Sequence, residues 1–215
     1  MNWIDYVLIA LLLVAIFIGS KRGLFSGVMG LIGLFLGVIV SVNYLDTVTL
    51  RVLAHMKVSP VVVAFFSLIF LFALVYLAVK IIAFLFYKVA SLNPLGKIDK
   101  FGGAIFGIFQ GWIVLGFVLI LLIFPPLPLS LTNKIDTSFL GPLIRGSVPL
   151  IYQESSFIHP QNTSFVEKLK VALKQESPEE AKSPWEALGR TPPKRTNRAE
   201  IIAQDLDEYF GKEIK

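Results

Sequence analysis

The chain has 215 residues, 55% of them hydrophobic and 16% charged, with 18 Phe and a mean hydropathy of +0.72, which is the composition of a membrane protein. Up to residue 124, eight Lys or Arg stand against Asp5, Asp46 and Asp99, and beyond it twelve stand against twelve, so the net +5 belongs to the apolar part. That placement speaks of orientation in a bilayer and not of nucleic acid, while the absence of Cys excludes disulfides, thiolate nucleophiles and Cys-held zinc or haem.

Crossing the hydrocarbon takes about 20 mainly apolar residues in a helix, and four stretches meet that need. The first, 3–19, is short and carries Trp3 and Tyr6, which suit an interface. It differs from a secretory signal because Asp5 precedes the apolar run and Lys21 and Arg22 follow it, so it reads as a retained, reverse-oriented anchor. The second stretch is 23–43. With only Lys21 and Arg22 between them, the two should form a tight antiparallel hairpin, with a shallow re-entrant pair as the competing arrangement.

The third stretch runs over 60–87 and the fourth over 101–124, where Pro125, Pro126 and Pro128 stop it. The expected fold is thus an all-α bundle of four transmembrane helices. Lys21, Arg22, Lys88, Lys97 and Lys100 fall on one side of that alternation, and Arg51, Lys57, Lys134 and Arg145 on the other. The first group is larger and holds the first hairpin, so it is expected in the cytoplasm, with both termini outside.

Residues 125–159 contain Pro and the apolar Phe139, Leu143, Ile144, Val148 and Ile151, too short to span and expected to lie in the interface. Residues 160–215 are polar. Phe165, Leu169 and Leu173 mark one weak helix, "SPWEALGRTPPKRTNR" reads as a linker, and Asn197 with Glu200 opens a helix striped by Ile202, Leu206 and Phe210. This tail is expected to be a partly ordered appendage without a core of its own.

Two glycine stripes stand out: Gly23, Gly27, Gly30, Gly33 and Gly37 in the second stretch, and Gly103, Gly107 and Gly111 in the fourth. In lipid, helices associate through close contact, and small residues at this spacing permit it. The two stripes are expected to be each other's partners, in preference to a face for a second copy. Asp99, just before the fourth helix, suits that helix's positive end and is expected to pair with Lys21 or Arg22. Asp5, on the opposite side, should cap or anchor the first helix. Lys80 is the one charge inside a span; an intramembrane charge is a functional candidate by default, but here snorkelling to the headgroups is expected.

No catalytic set is legible. Ser26 in "FSGVMG" has no base within the spans, "GGAIFG" lies in an apolar helix and not at a phosphate-binding turn, and His55 and His159 have no carboxylates at ligand spacing. An enzyme, a cofactor and a metal are therefore not expected. A proton-coupled exporter would place a carboxylate near mid-bilayer, whereas Asp5, Asp46 and Asp99 all sit at segment ends.

"NWIDY", "KRG" with Gly23 and Gly27, and "DKFGGAIFGIFQG" resemble the bacterial colicin V production (CvpA) family of small multi-pass membrane proteins, over about residues 1–124, and "SFLGPLIRGSVPLIY" resembles the segment that follows its last span. The resemblance implies an inner-membrane protein needed for production or export of a peptide toxin, with a broader envelope role where no toxin is made. Asp5, Arg22, Gly23, Asp99, Gly103 and Gly107 match the recurring pattern. The expected partners are the lipid bilayer and other membrane or envelope proteins, or a second copy of the chain. A small oligomeric channel and a scaffold recruiting a soluble protein through Ile202, Leu206 and Phe210 are the alternatives.

Overall fold

Helix α1 (Trp3–Leu53) starts behind a reciprocal cap: the Asn2 side chain accepts from the Ile4 N–H at 2.9 Å while Asp5 accepts from the Asn2 N–H at 2.7 Å, which satisfies two donors that a helix start leaves over. It opens a computed structural model that describes residues 2–55, 58–90, 96–125, 128–155, 165–173 and 198–210. Helices α2 (Pro60–Ala90) and α3 (Lys97–Leu121) follow, and with α1 these make three helices long and apolar enough to cross a membrane. Where four apolar segments were expected, the first two are one continuous element.

That element is divided by Gly23 alone, whose φ of 82° and ψ of 173° leave helical geometry. A side chain disfavours this region, which glycine enters freely. The two arms, 3–22 and 24–53, meet α3 in opposite senses. Gly19 lies at Gly103, Ala15 at Gly107 and Leu12 at Gly111, whereas Gly27 lies at Phe106 and Gly30 at Gln110. The first arm therefore runs against α3 and the second runs with it, so the arms are antiparallel to one another and α3 lies along both.

Helix α2 runs against the second arm, with Phe72 at Gly37 and Tyr76 and Val79 at Gly33. Leu34, Val38, Val42 and Leu45 of α1 form the core with Val61, Ala64 and Leu68 of α2 and Ile113, Phe117 and Ile120 of α3. The Phe72 and Phe117 rings stack with centroids 4.0 Å apart. Burial on α2 fades along its length, from Ala64 at 0% exposure to Phe84 at 65%, so α2 leaves its neighbours towards the Gly23 end.

The opposite end carries four shorter helices, α4 (Leu129–Asp136), α5 (Leu140–Glu154), α6 (Phe165–Leu173) and α7 (Arg198–Phe210). In the segment expected in the interface, Ile144, Val148 and Ile151 of α5 are buried, whereas Leu143 and Leu150 of α5 and the preceding Phe139 are exposed. Gly116 of α3 allows this, since a Cβ there would meet the Ile144 carbonyl oxygen and the Ser147 hydroxyl.

The tail also departs from expectation. Phe165, Leu169 and Leu173 of α6 and Ile202, Leu206 and Phe210 of α7 belong to the same buried cluster as the long helices. Their stripes are covered by the chain itself, which removes the Ile202, Leu206 and Phe210 face as a free recruitment surface. The "SPWEALGRTPPKRTNR" stretch, up to its last residue, lies outside the described residues, as does His159.

Candidate functional site at the helix junctions

Asp99 lies in the first turn of α3 and its Oδ1 accepts from the Leu24 N–H at 2.8 Å. One carboxylate thus sits at two helix starts, that of its own helix and that of the second arm of α1, where unpaired N–H groups and the helix dipole favour negative charge. The expected ion pair is replaced by this contact: among the described residues, no ion pair joins Asp99 to Lys21 or Arg22. The physical reason is the turn itself, which aims a backbone donor at the carboxylate and leaves Lys21 and Arg22 exposed, with Lys21 over the Phe17 ring at 4.2 Å.

Gly23 is buried beneath Asp99, and a Cβ built there would come within 2.8 Å of the Asp99 carboxyl carbon. Conformation and space thus both require glycine at this position. Next along the seam, a Cβ at Gly103 would meet the Gly19 carbonyl oxygen and lie 3.0 Å from Gly23 Cα; at Gly107 it would lie 2.7 Å from the Ala15 carbonyl oxygen, and at Gly111 2.5 Å from Ala15 Cβ. Gly103, Gly107 and Gly111 therefore close on the first arm, through Gly19 and Ala15, and not on the glycines of the second arm.

The glycines of the second arm serve other neighbours. Gly27 accommodates Phe106, Gly30 accommodates Gln110, and Gly33 and Gly37 accommodate α2. Packing within the chain is as expected, but the two stripes meet only where Gly103 lies against Gly23: the spacing shows that a face is bare and leaves open which helix fills it. Gln110 is a functional candidate that sequence reading missed. Its Nε2 donates to the Gly27 carbonyl at 2.5 Å, a polar contact from one helix to the next; the signal was a lone amide within "GAIFGIFQG".

Asp5 mirrors Asp99 at the other end of the first arm. Fully buried, it caps its own helix as expected, and its Oδ1 also accepts from the Leu140 N–H at 2.9 Å, at the start of α5. Each carboxylate of the pattern therefore fastens a helix start far away in sequence. Asp5 stands apart from the Gly23, Asp99 and Gly103 junction, at the opposite end of the arm.

Arg22 and Lys80 are brought together elsewhere, on the walls of a cavity of about 460 Å³ between α1 and α2. The Lys80 ammonium lies 5.6 Å from the centre of the Tyr76 ring, one turn back towards the start of α2. That distance is within reach of a cation–π contact with the aromatic face.

At the far end, ionic contacts that no motif announced hold the short helices. Arg145, 6% exposed, pairs with Asp136 at 2.8 Å and lies over the Tyr209 ring at 3.6 Å, while the Tyr209 hydroxyl donates to Asp136 at 3.0 Å. Burial first, and then the Asp136 charge, push the Tyr209 phenol up to about 12. Lys168, also 6% exposed, lies 3.5 Å from Asp46, and the Tyr152 hydroxyl donates to Asn43 at 2.9 Å. Burial and Asp46 likewise raise Tyr152 above its ordinary value. These residues are spread too far along the sequence for spacing to reveal them.

A family profile described as Colicin V production protein matches residues 4–149. The match takes in the three long helices, α4 and most of α5, and leaves α6 and α7 beyond it. No curated protein and no solved structure matches the chain.

Proposed function

Because the chain belongs to the colicin V production family, we propose that it is a non-enzymatic protein of the bacterial inner membrane that acts through partner proteins. It serves production or export of a peptide toxin where the bacterium makes one, and envelope maintenance where it does not. In this reading it crosses the bilayer four times, the two arms of α1 being separate crossings, since they run in opposite senses along α3. The Gly23 end, with Lys21, Arg22, Lys88, Lys97 and Lys100, faces the cytoplasm. Both termini and the cap formed by α4 to α7 face outward.

The observation that carries an accessory role is the closed seam between the first arm and α3. Gly19, Gly103 and Gly107 bring backbone against backbone there, and apolar side chains fill the space between the second arm, α2 and α3. A single chain is in this way packed along its axis, so its work falls to its surfaces. Ile108, on the lipid-facing side of α3 and 40% exposed, reports on those surfaces, and the lack of any native Cys makes a single Cys there a clean probe.

The test is crosslinking of an Ile108→Cys variant in cells whose toxin secretion it restores, with the adducts identified by mass. The expected product joins the chain to a protein of the envelope or of the toxin-export machinery. A product of twice the chain mass, together with solute flux in vesicles containing the pure protein, would replace this reading by an oligomeric channel.

A further inference from the structure

We propose that the cavity between α1 and α2 at the Gly23 end binds the phosphate of one anionic phospholipid. Its volume of about 460 Å³ exceeds what a bare phosphate needs, and its walls carry Arg22, Ser26 and Gly30 from α1 and Lys80 from α2, with Phe25 and Phe84 beside them. It exists because α2 diverges from its neighbours there: Gly33 still touches Val79, whereas Ile82 and Phe84 are 53% and 65% exposed. The site goes beyond the partner-based role above and rests on that reading only in placing the Gly23 end at the cytoplasmic face.

The chemistry of the walls selects the occupant. Gly30 is seven residues past Gly23, so the cavity reaches about 10 Å along the helix from the turn. Over that depth Arg22, Ser26 and Lys80 are the basic and hydroxyl-bearing residues on its walls. Among the described residues no ion pair involves Arg22 or Lys80, and Asp99 is already engaged by Leu24. Two cations beside Phe25, Met29, Ala83 and Phe84 favour an anion between them. A phosphate offers the guanidinium a two-pronged acceptor and the ammonium a point charge.

The bilayer is the source that fits both ends of the cavity. Phe25 and Phe84 give an apolar flank along which an acyl chain can lie, and basic pockets between helices on the cytoplasmic side are a known mode of headgroup recognition. A zwitterionic headgroup carries its own ammonium towards Arg22 and Lys80 and is disfavoured, whereas a net negative one is not.

The full chain in neutral detergent is titrated with short-chain phosphatidylglycerol, phosphatidylcholine or inorganic phosphate, and bound species are counted by native mass spectrometry. Phosphatidylglycerol is expected to bind as a single copy, at least about tenfold more tightly than phosphatidylcholine, a ratio that one charge-assisted contact supplies. Lys80→Met, which removes a charge from an apolar wall and so does not threaten folding, and Arg22→Gln should each reduce that preference about tenfold. Lys100→Gln, an exposed change at the same end, should leave it intact. Equal binding of the two lipids, or an unchanged preference in Lys80→Met, would overturn the site. Displacement of the lipid by inorganic phosphate at equal concentration would reassign it to a soluble anion and overturn the lipid as occupant.

Discussion

A methyl group at Gly107 would meet the closest part of the α1 and α3 seam. Built on the existing backbone, it lies 2.7 Å from the Ala15 carbonyl oxygen and 3.1 Å from Gly19 Cα. Neither neighbour is the movable end of a side chain, so the helices must separate by about 0.5–1 Å to restore ordinary contact, a gap that forfeits a quarter to a half of each dispersion well it opens. Overpacking of this kind costs about 1–3 kcal/mol, and alanine returns up to about 1 kcal/mol through its better helix propensity. With that return in full, the net for Gly107→Ala is a loss of up to about 2 kcal/mol, or a fall of up to roughly 8 °C in Tm for a chain of this size. The assay is thermal unfolding in a mild detergent, followed by far-UV circular dichroism and tryptophan fluorescence. Gly146→Ala is the control: it lies in α5 with open space around its missing Cβ, and should hold or slightly raise Tm. A Gly107→Ala protein that melts above the wild-type temperature would refute the close-contact reading of the seam.

Removing the Asp99 carboxylate by Asp99→Ala should cost about 1–2 kcal/mol, as loss of a helix cap does, while Asp99→Asn, whose amide oxygen can still accept from Leu24, should lose less than half of that; both are read from unfolding curves in the same detergent. Leu206→Ala, at a fully buried position of α7, should cost about 2–5 kcal/mol, and an unchanged midpoint would mean that α7 contributes nothing to the core. The folded chain holds the Tyr209 proton up to about 12 where an unfolded chain releases it near 10.0, so this group's contribution is complete below pH 10 and lost as pH rises through 12. Stability measured across that window should fall less steeply in Tyr209→Phe than in the wild type.

The long elements were legible because hydropathy is a property of composition, and the break at Gly23 was legible because only "SKRG" separates two apolar runs. Which surfaces meet was harder to read. Glycine spacing marks a face from which side chains are missing, but Ala15 and Gly19, which fill that face, form no stripe of their own. The partner of Asp99 was misjudged because sequence displays Lys21 and Arg22 as charges and does not display the Leu24 N–H, which becomes a donor only once the helix starts there. The tail was misjudged for a related reason. A stripe such as Ile202, Leu206 and Phe210 has the same period whether it is covered by its own chain or by a stranger, and here it is covered by its own chain. Arg145 and Lys168 looked like solvated charges because Asp136, Tyr209 and Asp46 reach them only through the fold.

The contact between Asp99 and Leu24 spans 75 residues, and this separation sets an order of events during synthesis. When the first two apolar arms leave the ribosome, the donor at the start of the second arm has no acceptor, and the bare strip along the first arm has nothing lying on it. Both deficits end together when α3 arrives, bringing the carboxylate and the three glycines within the stretch 99–111. Until then the hairpin lacks both contacts. A nascent chain halted before residue 99 should therefore be cut faster by added protease than one extended past residue 121.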